Sequence, residues 1–295
     1  MLARRAITDK FTGTWMVASL TTILIIPLAI GTGLFLKSLP LLKDQTIFHL
    51  LTTIEWLPQK GKFGFWPFIS SSLYVTLLAF LFSAPVCLFT AIYLTEFSGQ
   101  KLTKIMQPVI DILAGLPSVV HGVWGILVIV PLVSNILAPS INIISSGYSI
   151  LAGGIVLSIM CIPYMLNMLI EVFHAVPLGL KEASHSLGAT SWEVVKHVVV
   201  KKSYPGILSA FGLGIAKAFG ETMAVMMVVG NVVHVNFNPF NAGYPLPALI
   251  ANNYGEMLSI PMYDSVLMFA ALLLLIIILI INLVFRYFIY KTREQ

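Results

Sequence analysis

From Ser265 to Phe285 the chain carries no charged side chain. A run of that length has to be covered by something other than water. In a chain of 295 residues that is 58% apolar and 10% charged, the long apolar stretches cannot all bury one another, so the composition calls for hydrocarbon as solvent. A helix crossing a bilayer needs about 20 largely apolar residues. Six segments answer that description: Trp15 to Leu36, Phe68 to Leu94, Met106 to Val133, Tyr148 to Phe173, Tyr204 to Val233 and Tyr263 to Ile289. The expected fold class is all-α, a polytopic membrane protein with six transmembrane helices. The first apolar run is longer than the core of a cleaved signal and no small-residue cleavage site follows it, so it is expected to stay as an anchor.

Lys and Arg concentrate in cytoplasmic loops, so their distribution orients the chain. Arg4, Arg5, Lys10, Lys101, Lys104, Lys181, Lys196, Lys201, Lys202, Arg286, Lys291 and Arg293 fall on one side, against Lys37, Lys43, Lys60 and Lys62 on the other. Both termini are therefore expected in the cytoplasm. The same bias accounts for the net charge of +5 without nucleic acid, which requires basic residues gathered on a folded, water-exposed surface. Cys87 and Cys161 fall inside expected spans and say nothing about redox compartment.

The base on neither side is Lys217, about 20 Å along the fifth span from its basic end, near the bilayer centre. Glu221 follows four residues later. Charges at that depth are costly and face protein or a watery cavity. On a continuous helix the two share a face, although Lys before Glu is the poorer order for pairing. Two readings stay open at this point: an ion pair that joins helices, or a polar path that meets a charged or proton-carrying substrate. Gly212, Ala216, Gly220 and Ala224 form a small-residue ridge beside the pair, which allows close helix approach and suits a pore-lining helix at a subunit interface.

Other unusual positions reach the same depth. In LAGLPSVVHG, Pro117 is a helix breaker directly before Ser118, and backbone freed by proline persists in a membrane only where protein or a cavity satisfies it. Pro163 lies in the middle of the fourth span. His121 has no second ligand at usable spacing, so no metal site is expected. Asp111 and Glu171 lie toward span ends. The chain contains no GxxxxGK[ST] loop, no HExxH and no GxSxG, so neither ATP hydrolysis nor the commonest hydrolytic chemistries can be placed on it.

Between the fourth and fifth spans lies the polar stretch KEASHSLGATSWEVVKH, Lys181 to His197. Leu180, Ala183 and Leu187 recur at helical spacing, Gly188 ends that helix, and Thr190 with Glu193 forms a capping box that opens another. A capped helix-turn-helix is more ordered than a connector needs to be. The alternative is a helix lying flat on the membrane surface.

The run Glu182, Ala183, Ser184, then Gly188, resembles the EAA loop of permease subunits in ATP-binding-cassette importers, where a helix-turn-helix docks into a groove on the ATPase. This chain has Ser184 in place of a second alanine, and Val200 and Lys201 in place of Leu-Pro, while Pro205 and Gly206 match a later Pro-Gly. More narrowly, LAGLPSVVHGVWG from Leu113, SIMCIPYM from Ser158, SLGATSW from Ser186 and GETMAVMMVVGN from Gly220 are similar to the PstC-type permease of phosphate importers. The GETMAV ending is unlike the GETAP of its PstA partner. Where that family has Arg, this chain has Lys217, a point charge in place of a planar fork.

The resemblance implies a type I importer permease fold in the bacterial plasma membrane. It implies a PstA-type permease partner, two ATP-binding subunits and an extracytoplasmic phosphate-binding protein, with no cofactor. Under it, Lys217 offsets the anion's charge, Glu221 holds Lys217 and limits dwell time, and Ser118 and Thr222 donate hydrogen bonds. Glu182, Ala183, Ser184 and Gly188 couple to the ATPase. The expected divisions are 1–66 for the tail, first helix and external loop, 67–289 for the core with its coupling loop at 177–202, and 290–295 for the tail. Sulfate or molybdate as substrate, or a proton-coupled carrier, are the alternatives. The carrier would usually show paired repeats and needs no docking loop.

Overall fold

The computed structural model describes residues 2–235, 237–255, 260 and 262–293, with backbone alone at 2–10, 100 and 293. Residues 294–295 of the tail, and the side chains of Arg4, Arg5, Lys10 and Arg293, lie outside the described residues. The chain opens with a long helix, α1 (Leu2–Asp44), then α2 (Ile47–Thr52) and a small hairpin, β1 (Trp56–Leu57) and β2 (Lys62–Phe63). The hairpin is antiparallel, with Trp56 opposite Phe63 and Leu57 opposite Lys62. Helix α3 (Trp66–Ile92) runs on into a π-helical turn at Tyr93–Phe97, followed by α4 (Gln100–Gly115). Next come α5 (Ser118–Ser140), α6 (Ile150–His174) and α7 (Leu178–Ser186). Residues 191–219 form α8, with a π-helical turn at Val195–Val199. The chain closes with α9 (Met223–Val228), α10 (Leu246–Asn253) and α11 (Tyr263–Arg293).

Helix α6 is the axis of the bundle. Its small residues let neighbours come close, which is how helices associate where lipid is as apolar as the side chains. A Cβ on Gly154 would lie 2.8 Å from that of Leu78 on α3, and one on Gly125 of α5 would lie 2.7 Å from a Val156 methyl. Gly206 of α8 sits against Val172 and Gly214 against Met165. The resulting core joins Val75 of α3, Leu157, Met165 and Leu169 of α6, and Ile207 and Ala210 of α8.

At the end away from Lys101 and Lys104 an aromatic plug closes the bundle. Trp56 meets Phe68 at 4.7 Å between ring centroids, with Phe63, Phe65 and Tyr263 around it. Two buried hydroxyls on α3 serve the loop above: Ser71 accepts from the Tyr244 amide at 3.2 Å and Ser72 from the Leu246 amide at 2.8 Å.

Among the described residues five helices are long and apolar enough to cross a membrane: Phe11–Asp44, Trp66–Phe97, Ser118–Ser140, Ile150–His174 and Tyr263–Thr292. The expected continuous helix from Tyr204 to Val233 is not among them. It stops at Phe219 and resumes at Met223. At the stop, the Glu221 amide reaches back only three residues, to the Ala218 carbonyl at 3.3 Å. The Glu221 carboxylate takes the Thr222 amide at 3.2 Å, a local bond that competes with helix continuation. Pro117 breaks the third expected span fully, since Leu116 and Pro117 are extended, with ψ of 131 and 143°.

The small-residue ridge finds neighbours within the chain at two of its positions. Gly212 packs on Phe285, whose ring carbon would lie 2.8 Å from an added Cβ, whereas Gly220 is exposed and an added Cβ there would reach the Ile278 side chain only at 3.9 Å. At Gly212 the ridge thus packs on the chain's own α11, and at Ala224 on Gly122 of α5.

Because Val172 is β-branched and cannot swing aside, Gly206→Ala is expected to destabilise the folded protein by about 1–3 kcal/mol. Gly33→Ala, whose Cβ meets nothing within 4 Å, is expected to be neutral or slightly stabilising. Thermal melting of both in detergent checks the contrast, and equal melting points would contradict the packing described.

Candidate functional site

Helix α4 ends at Gly115, and the amide that would continue its ladder from the Ala114 carbonyl belongs to Ser118, beyond the Pro117 break. A carbonyl freed this way needs another donor. Tyr164 supplies it: the phenol donates to the Ala114 carbonyl at 3.0 Å. Tyr164 lies about 21 Å from the Ile150 end of α6 and about 15 Å from the His174 end, so the bond forms near mid-depth. The ring of the same tyrosine carries Lys217, whose Nζ stands 5.0 Å from the ring centroid.

The expected pairing of Lys217 with Glu221 is absent. Among the described residues no ion pair joins them, and α8 ends between the two. Lys217 is exposed, while Glu221 is half-buried, bonded to the Thr222 amide, and borders a small void with Ser72 and Thr76.

Ser118 and Thr222 mark two comparable places. Ser118 is the first residue of α5 and Thr222 directly precedes α9, so each stands at a helix break. The breaks are neighbours, since Gly122 of α5 packs against Ala224 of α9, with 3.2 Å between an added Cβ and the Ala224 Cα. Thr222 Oγ1 makes only a long bond of 3.5 Å to the Gly220 carbonyl. His121 is buried, with Nδ1 3.3 Å from the Pro117 carbonyl oxygen. Among the described residues no cluster of His, Cys, Asp and Glu is arranged for a metal.

Toward the basic end, Gln107 donates to Asn167 at 3.0 Å and to Asp111 at 3.3 Å, and Asn167 donates to Asp111 at 3.3 Å. Tyr164, Gln107 and Asn167 were not singled out from the sequence. The available signal was Pro163 in SIMCIPYM, which draws the eye one residue short of Tyr164. Asp111, Pro117, Tyr164, Lys217 and Met223 are all exposed. A cation at mid-depth left open to one side belongs to an incomplete enclosure.

The polar loop forms as expected. Helix α7 ends with the Ala189 amide on the Ser184 carbonyl at 3.3 Å and the Gly188 amide on the His185 carbonyl at 2.9 Å. Gly188 has φ +86°, the left-handed closure for which glycine is suited. Thr190 then caps α8: Glu193 accepts from the Thr190 amide and hydroxyl, each at 2.8 Å, and its own amide bonds the Thr190 oxygen. The Thr190 amide first, and then its hydroxyl, hold the Glu193 carboxyl below the usual range. The stabilisation this gives is complete above the unfolded-state value and is lost as pH falls through the lowered folded one.

Lys181 of α7 is turned inward. It meets Glu96 at 2.6 Å, with the side chains 17% and 10% exposed. Ser184 is half-buried on the same side, while Glu182, Ala183 and Gly188 face outward. The leucines also face outward, Leu187 being 90% exposed. An amphipathic helix that shows water its apolar side is built to be covered.

Membrane-length helices around broken ones, a mid-depth cation on an open side and a capped loop with an uncovered apolar side together define a membrane permease subunit that works in an assembly. The chain belongs to the family of binding-protein-dependent transport system inner membrane components, whose model matches residues 85–294, and is an inner-membrane protein. It is 35% identical over 241 residues to a probable ABC transporter permease protein, YqgH, of Bacillus subtilis, covering 81% of this chain and 76% of that one. It is 33% identical over 267 residues to the phosphate transport system permease protein PstC of Xylella fastidiosa, covering 86% and 82%. Among solved structures, a chain of the MetNI methionine ABC transporter in an inward-facing conformation superposes with a TM-score of 0.55 at 21% identity, over 77% of this chain and 93% of that one. That likeness supports the type I importer permease fold.

Glu96→Gln leaves Lys181 unpaired in a largely covered position and is expected to cost about 3 kcal/mol, loosening α7 first. Exchanging both residues, Glu96→Lys with Lys181→Glu, is expected to restore most of it. Protease susceptibility of the loop in detergent reads both variants. A loop as protected in Glu96→Gln as in the parent would show the pair to be idle.

Proposed function

We propose that this chain is one of two permease subunits of an ATP-driven importer of inorganic phosphate. The observation that carries the reading is the exposed Lys217 ammonium at mid-depth, beside two adjoining helix breaks. A dianion crossing hydrocarbon needs a counter-charge where water is excluded. The similarity to PstC over most of the chain supports phosphate as the anion.

In this reading the basic end is cytoplasmic, and α8 with α9 acts as a sixth, interrupted span, so both termini are cytoplasmic. Residues 67–289 form the transport core. A PstA-type partner closes the open side, and an extracytoplasmic phosphate-binding protein delivers the anion at the aromatic plug. Two ATP-binding subunits hydrolyse ATP and engage the 177–202 loop through Glu182, Ala183, Ser184 and Gly188, with the exposed leucines seated in their groove. Lys217 meets the anion, Ser118 and Thr222 offer hydroxyls at the breaks, and Glu221 fixes the α8–α9 break. Glu221 does not hold the cation.

Two tests separate the parts. Gly188→Leu forces a large residue into a left-handed position that glycine fills. It is expected to release the ATPase subunits or uncouple hydrolysis while the protein still inserts, and normal co-purification with normal uptake would remove the docking role.

Lys217→Gln, which strands no carboxylate, is expected to assemble normally and to lose uptake by about 100-fold or more. Lys217→Gln with Glu221→Gln is expected to remain equally inactive. Uptake per assembled complex at the parental level in the double variant would eliminate Lys217 as the anion's counter-charge.

A further inference from the structure

We propose that Tyr164 is a positioning residue whose ring holds the Lys217 ammonium on the exposed side, apart from Glu221, so that the cation is uncommitted when an anion arrives. This rests on the reading of Lys217 as the anion's counter-charge.

Three observations carry it. The Lys217 ammonium stands 5.0 Å from the Tyr164 ring centroid, within the range of a cation–π contact. The ring is held by its other end, where the hydroxyl donates to the Ala114 carbonyl at 3.0 Å. And Glu221, the carboxylate nearest Lys217 in sequence, is engaged elsewhere, on the Thr222 amide.

The physical difference between the two possible partners is charge. A carboxylate neutralises an ammonium, and a passing anion must then break an ion pair in a place where ion pairs are strong. An aromatic face attracts the cation through its quadrupole and leaves the positive charge intact. Lys217 has a flexible stem, so without the ring it is free to swing to Glu221. The same tyrosine also ties the cation to the α4–α5 break, since the carbonyl it holds is the one that break sets free.

The test uses the full complex in proteoliposomes, with inorganic phosphate delivered by the loaded binding protein. The readings are the maximal rate per assembled complex and the half-saturating concentration of that protein. The parent is measured first with phosphate and with sulfate, and whichever anion it moves is used for the variants. An error in substrate class therefore shows in the parent and leaves the comparison of variants intact.

Tyr164→Phe keeps the ring and loses only its tether, so its maximal rate is expected to stay within about threefold of the parent. Tyr164→Leu removes the ring, and its maximal rate is expected to fall about tenfold or more. Half-saturation should be unchanged, because docking precedes the step at Lys217. Adding Glu221→Gln to Tyr164→Leu removes the competing carboxylate and is expected to recover at least about threefold. Parental rate in Tyr164→Leu would overturn the proposal. So would equal loss in the Phe and Leu variants, or no recovery on removing Glu221, since a merely structural tyrosine predicts both.

Discussion

Hydrocarbon offers no hydrogen bonds, so every backbone amide and carbonyl within the membrane must find its partner in the protein. Among the described residues long helices meet the rule for most of the bundle, with breaks at Leu116–Pro117 and Gly220–Thr222, and the helices that follow these breaks are in contact through Gly122 and Ala224. Each break is supported locally, the first by the Tyr164 hydroxyl and the second by the Glu221 carboxylate. The backbone groups freed at the two breaks are thus brought near each other. The exposed Lys217 lies beside them.

Much of this was legible in the chain. Apolar runs marked the long helices, Pro117 marked the first break, and the positions of Gly188, Thr190 and Glu193 described the loop down to its capping bonds, because glycine closure and capping are local and sequence-near. The second break was not legible. Gly220 alone does not stop a membrane helix, and the competing bond from Glu221 to the next amide depends on a rotamer that no spacing reveals. Reading α8 through to Val233 therefore placed Lys217 and Glu221 on one face and paired them. The partner that Lys217 has is a tyrosine on another helix, a tertiary fact. For the same reason the small-residue ridge showed only that something packs closely there, and the structure places α11 at Gly212 and α5 at Ala224.

The outer surface of α7 shows a related division of labour. Lys181 turns inward to Glu96 while the leucines of this helix turn outward beside Glu182, the reverse of what the apolar side of an isolated soluble helix does. Helix propensity and caps make the element form, and the inward ion pair sets which side is left for a partner.

That ion pair gives α3 an unusual duty. At one end α3 continues through Tyr93–Phe97 to Glu96, clamped on Lys181 of the loop. Toward the other end its Ser71 and Ser72 hydroxyls grip the Tyr244 and Leu246 amides under the aromatic plug. A helix is stiff along its axis, so α3 joins these two grips rigidly. The polar loop at one end of the bundle and the segment under the aromatic plug at the other are therefore held at a fixed spacing by one helix, which does not carry Lys217.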